Sequence, residues 1–392
     1  MKATTRYFDS AVDLNDVCGS DGYLFVRNGV GFAGQGVAAR APSEKVLSRL
    51  QAIDHENLTD LDVSPIAIGA MPFSDSQPYE LTIPKITVGK DSSGRSWSTV
   101  IDDESGDIHI QDRPPTASAS FRVWPSTPIE QYRHAVATVR DAVEQGNLVK
   151  AVIAREISVE SSEPIDVHAV LLRLRSSFAN SYRYSIDGFI GASPELLLEI
   201  SGDTVRSHPL AGTTPRTGDP NVDEQLARQL VASMKDQIEH RVVIDVIHDM
   251  LLPWCSYLDW EPEPSVLQVA NVQHLGTMME GRLTQNRPEL LELVRLLCPT
   301  PALGGHPRNQ ALQLITDVEG FDRGHYGGAV GWVDAVGNGT WAVAIRCAQL
   351  SPDRKIARLT AGGGIVAASE ADSELAETQA KFQAMLSAII RT

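Results

Sequence analysis

The sequence contains little cysteine, and the cysteine it has forms no recognisable motif. Its 392 residues include four cysteines, with no Cys-x-x-Cys pair and no repeated short spacing. A disulfide framework and a cysteine-based zinc site are therefore not expected. This usage is typical of a protein kept in a reducing cytoplasm, which is where we expect the chain to act.

Long apolar segments and excess positive charge are also missing. No run of about 18 apolar residues occurs, so we expect no transmembrane helix. Residues 1–17 lack a basic start followed by an apolar stretch, so we expect no signal peptide. The formal net charge of −16 disfavours nucleic acid and anionic membranes as partners. A small anionic substrate stays compatible with it if a metal ion, Lys, Arg or backbone amides make the site locally positive.

Several widespread catalytic motifs are absent as well. The chain has no GxSxG, no Walker loop and no GxGxxG after a predicted strand, and its ten histidines show no HExxH or similar spacing. Hydrolase, NTPase and dinucleotide-binding functions therefore have no support in the sequence.

The chain does have the composition of an ordinary globular protein, 42% hydrophobic and 21% charged. Up to about residue 115, short apolar runs alternate with Gly, Pro, Asp and Ser, which predicts short strands and turns. A polar, proline-containing stretch near 102–120 predicts a loop or linker. Beyond it the periodicity predicts helices at 127–146 (capped by Thr127), 166–179, 223–254 and 373–391, a strand at 148–159, two strands within 182–201, a hairpin with a Gly-Asn-Gly turn within 328–350, and a strand from 356 that runs into glycines.

Helices and strands alternate irregularly in this pattern, and several strand pairs are predicted hairpins. That favours mixed or antiparallel sheets with covering helices, an α+β fold, over a doubly wound parallel sheet. We find no internal repeat.

Two pairs of carboxylates stand three residues apart on predicted helices: Asp236 with Glu239, and Glu374 with Glu377. Residues at this spacing share a helix face, so each pair places two like charges on one stripe. If the helices face each other, they form a site of four hard oxygen ligands, which suits Mg²⁺ rather than Zn²⁺. For one pair alone, a solvated helix face is the more common explanation. The apolar segment after Glu239 and the glycine run before Glu374 favour the site.

Other candidates are open to two interpretations each. Lys150 interrupts an apolar strand, where it either reaches solvent from an edge or points into a cavity and acts as a base. Glu195 precedes three leucines; it is either a surface residue at a strand end or a carboxyl whose pKa the apolar surroundings raise, so that it serves as an acid. The glycines at 362–364 form either a flexible turn or a cradle for an anion.

Arg346 lies in an apolar strand pattern, WAVAIRCA, where an arginine is usually paired; a carboxylate ligand is a suitable partner. The loops at 209–216 and 299–305 offer hydroxyls and amides, and either is equally explained as a tight turn.

In this order along the chain, the segments GASPELLL, LAGTTPR, KDQIEH, PTPALGG, IRCA, the glycine run and ExxETxxK resemble the chorismate-utilising enzymes. The resemblance covers about residues 127–385. Within the family, the stretch FDRGHYGGAVGWVDAVGNGTWAVAIRCA is most similar to isochorismate synthases of the siderophore-pathway type.

The resemblance implies a fold of large, mostly antiparallel β-sheets packed together with covering helices. It implies one chorismate-binding domain over 1–392, with a variable amino-terminal part at 1–120 and a motif-bearing catalytic part at 121–392. The implied reaction is Mg²⁺-dependent isomerisation of chorismate to isochorismate, in an enzyme expected to be monomeric. Siderophore biosynthesis is the pathway we expect, and menaquinone or another secondary metabolite is left open as the destination of the product.

The resemblance also implies roles for single residues. Lys150 would be the base that activates water for attack on C2 of chorismate, and Glu195 the acid that protonates the departing C4 hydroxyl. Glu239 and Glu377 would contact Mg²⁺ directly, with Asp236 and Glu374 supporting it through water, and the metal would hold the ring carboxylate. The residues implied for substrate binding are Gly212, Thr213, Ala302, Leu303, Arg346 (on the enolpyruvyl carboxylate), Gly362 and Lys381.

The chain departs from the family pattern at three positions. Cys298 stands where a His near the substrate is usual, and its effect on rate or product is left open. Leu375 replaces a usual Trp, and Ala371 a common Pro; we expect both to be packing changes.

Two other functions compete with this prediction. A salicylate synthase makes isochorismate and then eliminates pyruvate at the same site. A non-catalytic relative would bind chorismate or a partner without turnover, and Cys298 is its one support.

Overall fold

The structure is a computed structural model that describes residues 1–8, 11–102, 107–112, 119–269 and 272–391. Its helices within these ranges are α1 Leu14–Cys18, α2 Val46–Gln51, α3 Ile129–Glu144, α4 Val167–Ser177, α5 Pro220–Ala232, α6 Met234–Leu251, α7 Leu290–Leu297, α8 Arg308–Glu319 and α9 Ala371–Ile390. Short 3-10 turns cover Ser43–Lys45 and Leu252–Trp254.

The strands are β1 Lys2–Tyr7, β2 Tyr23–Arg27, β3 Val30–Pro42, β4 Asp54–Asn57, β5 Ile66–Met71, β6 Glu80–Lys90, β7 Ser96–Ile101, β8 Phe121–Pro125, β9 Lys150–Ser161, β10 Tyr182–Ile186, β11 Phe189–Ser193, β12 Leu196–Ser201, β13 Thr204–His208, β14 Leu210–Pro215, β15 Cys255–Trp260, β16 Ser265–Gln268, β17 Val272–Gly276, β18 Met279–Leu283, β19 Gly305–His306, β20 Ala329–Asp334, β21 Gly339–Val343, β22 Cys347–Leu350 and β23 Ile356–Ile365.

Two long runs of paired strands form the body of the molecule. One runs β4-β1-β7-β6-β3-β2-β10-β11-β22-β23-β9, and the other runs β5-β20-β21-β12-β13-β18-β15. A contact between β5 and β6 joins them, and β14, β17 and β16 form a small separate sheet. The described pairings are antiparallel except for β1 with β4. The α+β prediction with mostly antiparallel sheets is therefore confirmed.

The hydrophobic core divides into three clusters. The largest combines residues of both runs, such as Tyr184 of β10 and Trp341 of β21. A second packs α1, α4 and α9 against the first run, and a third packs α3 and α8 against β9. Strand β9 contributes to all three clusters, with Ala154 in the largest, Ile157 and Val159 in the second, and Ala151 and Ile153 in the third.

Amino-terminal strands pair directly with motif-bearing ones, as β2 does with β10 and β5 with β20. The single-domain boundary stays a prediction. Of the predicted linker at 102–120, residues 103–106 and 113–118 lie outside the described residues. No helix among the described residues is long and apolar enough to cross a membrane.

The predicted single helix at 223–254 is wrong. The chain leaves helical geometry at Ser233, with φ −72° and ψ 108°, and two helices meet there. The Ser233 hydroxyl accepts a hydrogen bond from the Asp236 amide, so it caps the amino terminus of α6. The break lies beside the first acidic pair and lets α6 take its own direction.

Smaller details also differ from the predictions. Residues 182–201 form three strands rather than two, and β3 and β6 are longer than the short strands expected. Pro128, not Thr127, occupies the N-cap position of α3, and it makes no side-chain capping hydrogen bond. The Thr127 hydroxyl instead accepts a hydrogen bond from the Glu156 amide of β9. The helix at 166–179, the hairpin within 328–350 and the final helix are confirmed.

Candidate active site

One cavity of about 250 Å³ gathers the predicted site residues. It is enclosed by α6, the start of α9, β14, β23 and two loops around residues 302 and 346. The predicted residues that line it are Glu195, Gly212, Thr213, Asp236, Glu239, Ala302, Leu303, Arg346, Gly362, Glu374, Glu377 and Lys381. Lys150 lies just behind this lining, where its side chain meets Glu239.

The glycine run is part of a strand, so the alternative of a flexible turn is wrong. Residues 362–364 continue β23 and pair with Ala154, Ile153 and Val152 of β9. A Cβ on Gly363 would lie 2.6 Å from Glu374 Oε2, and one on Gly364 would lie 2.8 Å from Glu239 Oε1. The glycines therefore leave room for carboxylates to approach the strand.

Both acidic pairs face this strand, one from α6 and one from the first turns of α9. Glu374 is 5% exposed, and none of the other three carboxylates is fully exposed. The interpretation of either pair as a solvated helix face is wrong, because the side chains lie in the cavity wall.

Two lysines contact these carboxylates directly, and Lys235 in the cavity lining adds a third positive charge. Lys150 is 1% exposed and points inward, and its Nζ lies 2.7 Å from Glu239 Oε1. Lys381 Nζ lies 2.5 Å from Glu377 Oε1 and donates to the Gly362 carbonyl at 2.8 Å. Burial alone would raise the pKa of Glu239, but Lys150, with help from Lys381, holds it below the usual value.

Glu374 has no lysine of its own. Its Oε1 accepts from Ser369 Oγ at 2.8 Å, and its buried Oε2 has no hydrogen-bond partner in the described structure. Burial and the neighbouring charge of Glu377 raise the pKa of Glu374 to about 7. A buried oxygen without a partner is costly, and a cation beside it would remove that cost.

These carboxylates fit a hard metal ion by their chemistry. All four supply oxygen, which is the ligand type of Mg²⁺ and Ca²⁺, and Glu374 Oε2 is buried without a partner among the described residues. Across the described ranges, no three Asp, Glu, His or Cys side chains are close enough to enclose an ion. The lysines hold Glu239 and Glu377 in this arrangement.

Glu195 lies between β11 and β12 and is 2% exposed, so it is not a surface residue at a strand end. Burial raises its pKa to about 8, although the Leu210 amide, which donates to its Oε1 at 3.3 Å, and the charges of Arg346 and Lys150 oppose that rise. Glu195 is therefore protonated at neutral pH and can donate a proton into the cavity.

Arg346 is not inside a strand as predicted. It stands between β21 and β22 with φ +53°, a backbone conformation that turns the chain at this residue. Its Nη2 donates to His274 Nε2 at 3.2 Å, and its buried Nε has no partner in the described residues. Donors therefore remain for an anion.

His274 is a cavity residue that the sequence analysis missed. Its Nδ1 lies 3.2 Å from the Gly212 carbonyl and 3.1 Å from Thr213 Oγ1. Burial, with the charges of Arg346 and Lys381, lowers its pKa to about 3, so the ring is neutral. Because Arg346 can only donate, Nε2 must accept and Nδ1 carries the proton. A lone His in a buried strand was the available signal. The other lining residues not predicted are Val152, Leu210, Ala211, Lys235, Tyr326, Ile345 and Ser373.

The departures from the family pattern lie outside the cavity wall. Cys298 is buried in the largest core cluster, and its thiol donates to the Gly327 carbonyl at 3.7 Å. Burial raises the pKa of this thiol to about 12, so it packs as an inert side chain. Leu375 and Ala371 pack against the third cluster, as expected for packing changes.

Comparison with known proteins gives one consistent family. The family model described as chorismate binding enzyme matches residues 65–390. Isochorismate synthase DhbC of Bacillus subtilis is 34% identical over 336 residues, 83% of this chain and 81% of that one. Isochorismate synthase EntC of Escherichia coli K12 is 35% identical over 331 residues, covering 82% and 81%. The crystal structure of DhbC from Bacillus anthracis superposes with a TM-score of 0.80 at 32% identity, covering 96% and 97%.

The need for glycine at position 364 can be tested by adding one methyl group. In Gly364→Ala the Cβ would crowd Glu239 Oε1 at 2.8 Å and Lys150 Nζ at 3.2 Å. We expect urea denaturation to show a loss of about 2 kcal/mol in the free energy of unfolding. The same substitution in a Glu239→Ala background should cost clearly less, because the crowded carboxylate is gone. Equal losses in both backgrounds would contradict this account.

The stability of Glu195→Gln relative to wild type should increase as pH rises. The folded pKa of about 8 lies above the ordinary glutamate value of 4.5, so the folded wild type retains a proton that the unfolded chain releases. The stabilising contribution of Glu195 is complete below the unfolded pKa and is lost as pH rises through the folded pKa. Relative to wild type, the variant should gain about 2 kcal/mol between about pH 5 and pH 7. Denaturation curves that keep a constant difference over this range would rule out the raised pKa.

Proposed function

This chain belongs to the chorismate-binding enzyme family, and we propose that it isomerises chorismate to isochorismate. Two relatives at about one-third identity over most of the chain are isochorismate synthases. The observation that supports the proposal most is a cavity that Glu195 lines and that Lys150 backs through its contact with Glu239. A buried lysine and a carboxylic acid that is protonated at neutral pH are the base and the acid that the reaction requires.

The anionic substrate would be held by positive groups on separate elements. Chorismate carries two carboxylates, and a protein of net charge −16 needs local positive charge to receive it. We assign the enolpyruvyl carboxylate to Arg346, which lines the cavity, and Lys381 in the same lining adds positive charge. His274 fixes the orientation of the guanidinium through its hydrogen bond. The polypeptide at Gly212, Thr213, Ala302, Leu303 and Gly362 would form the remaining walls.

The acid and the base would act together on the ring. Lys150 would take a proton from a water molecule as the oxygen bonds to C2. The ring double bond shifts, the C4–O bond breaks, and Glu195 gives its proton to the departing hydroxyl, which leaves as water. One water is consumed and one released, so the step needs no redox partner and no nucleotide.

A divalent metal ion completes the proposed site. Its ligands would be Glu239 and Glu377, with Asp236 and Glu374 in support, and Mg²⁺ is the ion we propose for an all-carboxylate set. Bound there, the ion supplies positive charge for the ring carboxylate of the substrate.

Three finer points stay predictions. These are the siderophore pathway as the destination of the product, the monomeric state and the cytoplasmic location. The resemblance in motif order and the cysteine usage support them.

Product analysis tests the proposed function directly. Purified protein with chorismate and Mg²⁺ should release isochorismate without pyruvate, as followed by NMR and by a pyruvate assay. Salicylate with an equal amount of pyruvate would make the chain a salicylate synthase instead. Binding of chorismate without turnover would make it a non-catalytic relative.

Lys150→Ala should abolish water addition while leaving the fold intact. Loss of a general base lowers the rate by a factor of about 100 or more, so we expect kcat to fall at least that far. Lys90→Ala, at the end of β6 and outside the cavity wall, is the matched control and should turn over normally. Unchanged turnover in Lys150→Ala, with a wild-type circular dichroism spectrum, would remove this residue from the mechanism.

A further inference from the structure

We infer that Glu319 and Arg323 form a positioning pair that holds the wall bearing Lys150 against the wall bearing Leu303. The inference rests on the proposed function, since it concerns the geometry in which Lys150 delivers water. Neither residue is in the cavity lining, and neither touches the space for substrate.

The two side chains make a closed, buried ion pair. Glu319 is the last residue of α8, Arg323 follows four residues later, and both side chains are 2% exposed. Arg323 Nε donates to Glu319 Oε2 at 2.8 Å, and its Nη2 bonds to Glu319 Oε1. Such a two-point contact fixes the guanidinium plane as a single bond would not.

From this pair, hydrogen bonds reach both walls. Arg323 Nη1 donates to the Leu303 carbonyl at 2.8 Å, and Nη2 donates to the Val152 carbonyl at 2.6 Å. The Ala154 amide donates to Glu319 Oε1 at 2.6 Å. Leu303 and Val152 both line the cavity, and Val152 is two residues from Lys150 in β9. The pair therefore sets the spacing between the loop and the strand.

The pair also stands where a neighbouring strand is missing. On this edge of β9, β19 pairs with Lys150 and Ala151, and the Val152 amide donates to the Gly304 carbonyl at 2.9 Å. The next strand on this edge, β8, begins its pairing at Ile157. Between the two, the ion pair supplies the acceptor for the Ala154 amide and the donor for the Val152 carbonyl. Buried backbone groups need such partners.

The ring of Tyr326 makes a cation–π contact with the same guanidinium. Arg323 lies 5.8 Å from the centre of that ring and 4.3 Å from the ring of Phe73. Tyr326 lines the cavity, so a third wall element depends on the position of Arg323. A buried ion pair contributes little net stability over an apolar pair of the same volume. The guanidinium of Arg323, by contrast, holds Leu303, Val152 and Tyr326, which lie on three separate segments, in one geometry.

The anion-binding groups stand on other elements. Arg346 lies between β21 and β22, and Lys381 lies on α9. Loosening the pair should therefore disturb water delivery by Lys150 more than substrate affinity, and kcat should fall while KM changes little. Small misplacements of reacting groups cost up to about 100-fold in rate.

The test uses Glu319→Gln and Arg323→Lys in the full chain, with chorismate and Mg²⁺. Gln keeps the shape of Glu319 but loses its charge, and Lys cannot span both carbonyls and the carboxylate. We expect kcat to fall by about 10-fold or more in each variant, within the 100-fold limit for misplaced groups, with KM held within about threefold. Amide hydrogen exchange of the 150–156 segment, measured without substrate, should be faster than in wild type.

Arg183→Met is the matched control. Arg183 is also a buried arginine, 1% exposed, and its Nη1 donates to Asn15 Oδ1 at 2.7 Å, away from the cavity wall. Its loss should lower the melting temperature but leave kcat and exchange at 150–156 as in wild type.

Each result separates the explanations. Variants of the pair that melt early but keep the wild-type kcat, or that exchange at the wild-type rate, would show a purely structural role and overturn the inference. A wild-type protein that makes no isochorismate would overturn the proposed function, while the exchange measurement would still report on the pair.

Discussion

The site depends on how buried carboxylates are accommodated beside one strand. Glu239 and Glu374 reach toward β23 from two different helices, at distances that a side chain on Gly363 or Gly364 would block. Lys150 compensates one of these charges by direct contact, while Glu374 keeps an oxygen without a partner. The missing side chains at Gly363 and Gly364 make room for these carboxylates, and the inward position of Lys150 balances the charge of Glu239. Removing Lys150 would leave the Glu239 carboxylate without the cation that pairs with it, at a cost in stability.

The fold brings the segments that carry these charged side chains, which are distant in sequence, to the same pair of strands. Strand β9 supplies Lys150 and β23 supplies the glycines, in antiparallel register. Helix α6 arrives at its own angle because Ser233 ends α5 and caps the next helix. The buried pair of Glu319 and Arg323 completes the other edge of β9, where strand pairing is interrupted. One edge of the strand that carries the base is thus fixed by β23, and the other by β19, β8 and this ion pair.

The sequence predicted the parts of this arrangement that depend on local pattern or on motif order. Carboxylate spacing gave the acidic faces, and β-branched runs gave the sheets. The break at Ser233 was not predicted, because the helical periodicity continues through it. A single serine ends α5 and caps α6 there. The continuation of the strand through Gly364 was not predicted, because glycine is unfavourable in strands. At this position the missing side chain is an advantage, because a Cβ would crowd Glu239. His274 escaped because one histidine in an apolar strand has no spacing partner.

Two buried carboxyl groups in the cavity, those of Glu195 and Glu239, have pKa shifts in opposite directions. Glu195 has no lysine in contact, and burial raises its pKa to about 8. Glu239 is also largely buried, yet the contact with Lys150 holds its pKa below the usual value. One side chain is therefore an acid and the other an anion in the same cavity at the same pH. Since desolvation acts on both, the position of Lys150 decides which is which. A structure that displaced Lys150 would therefore lose the distinction between the acid and the anion.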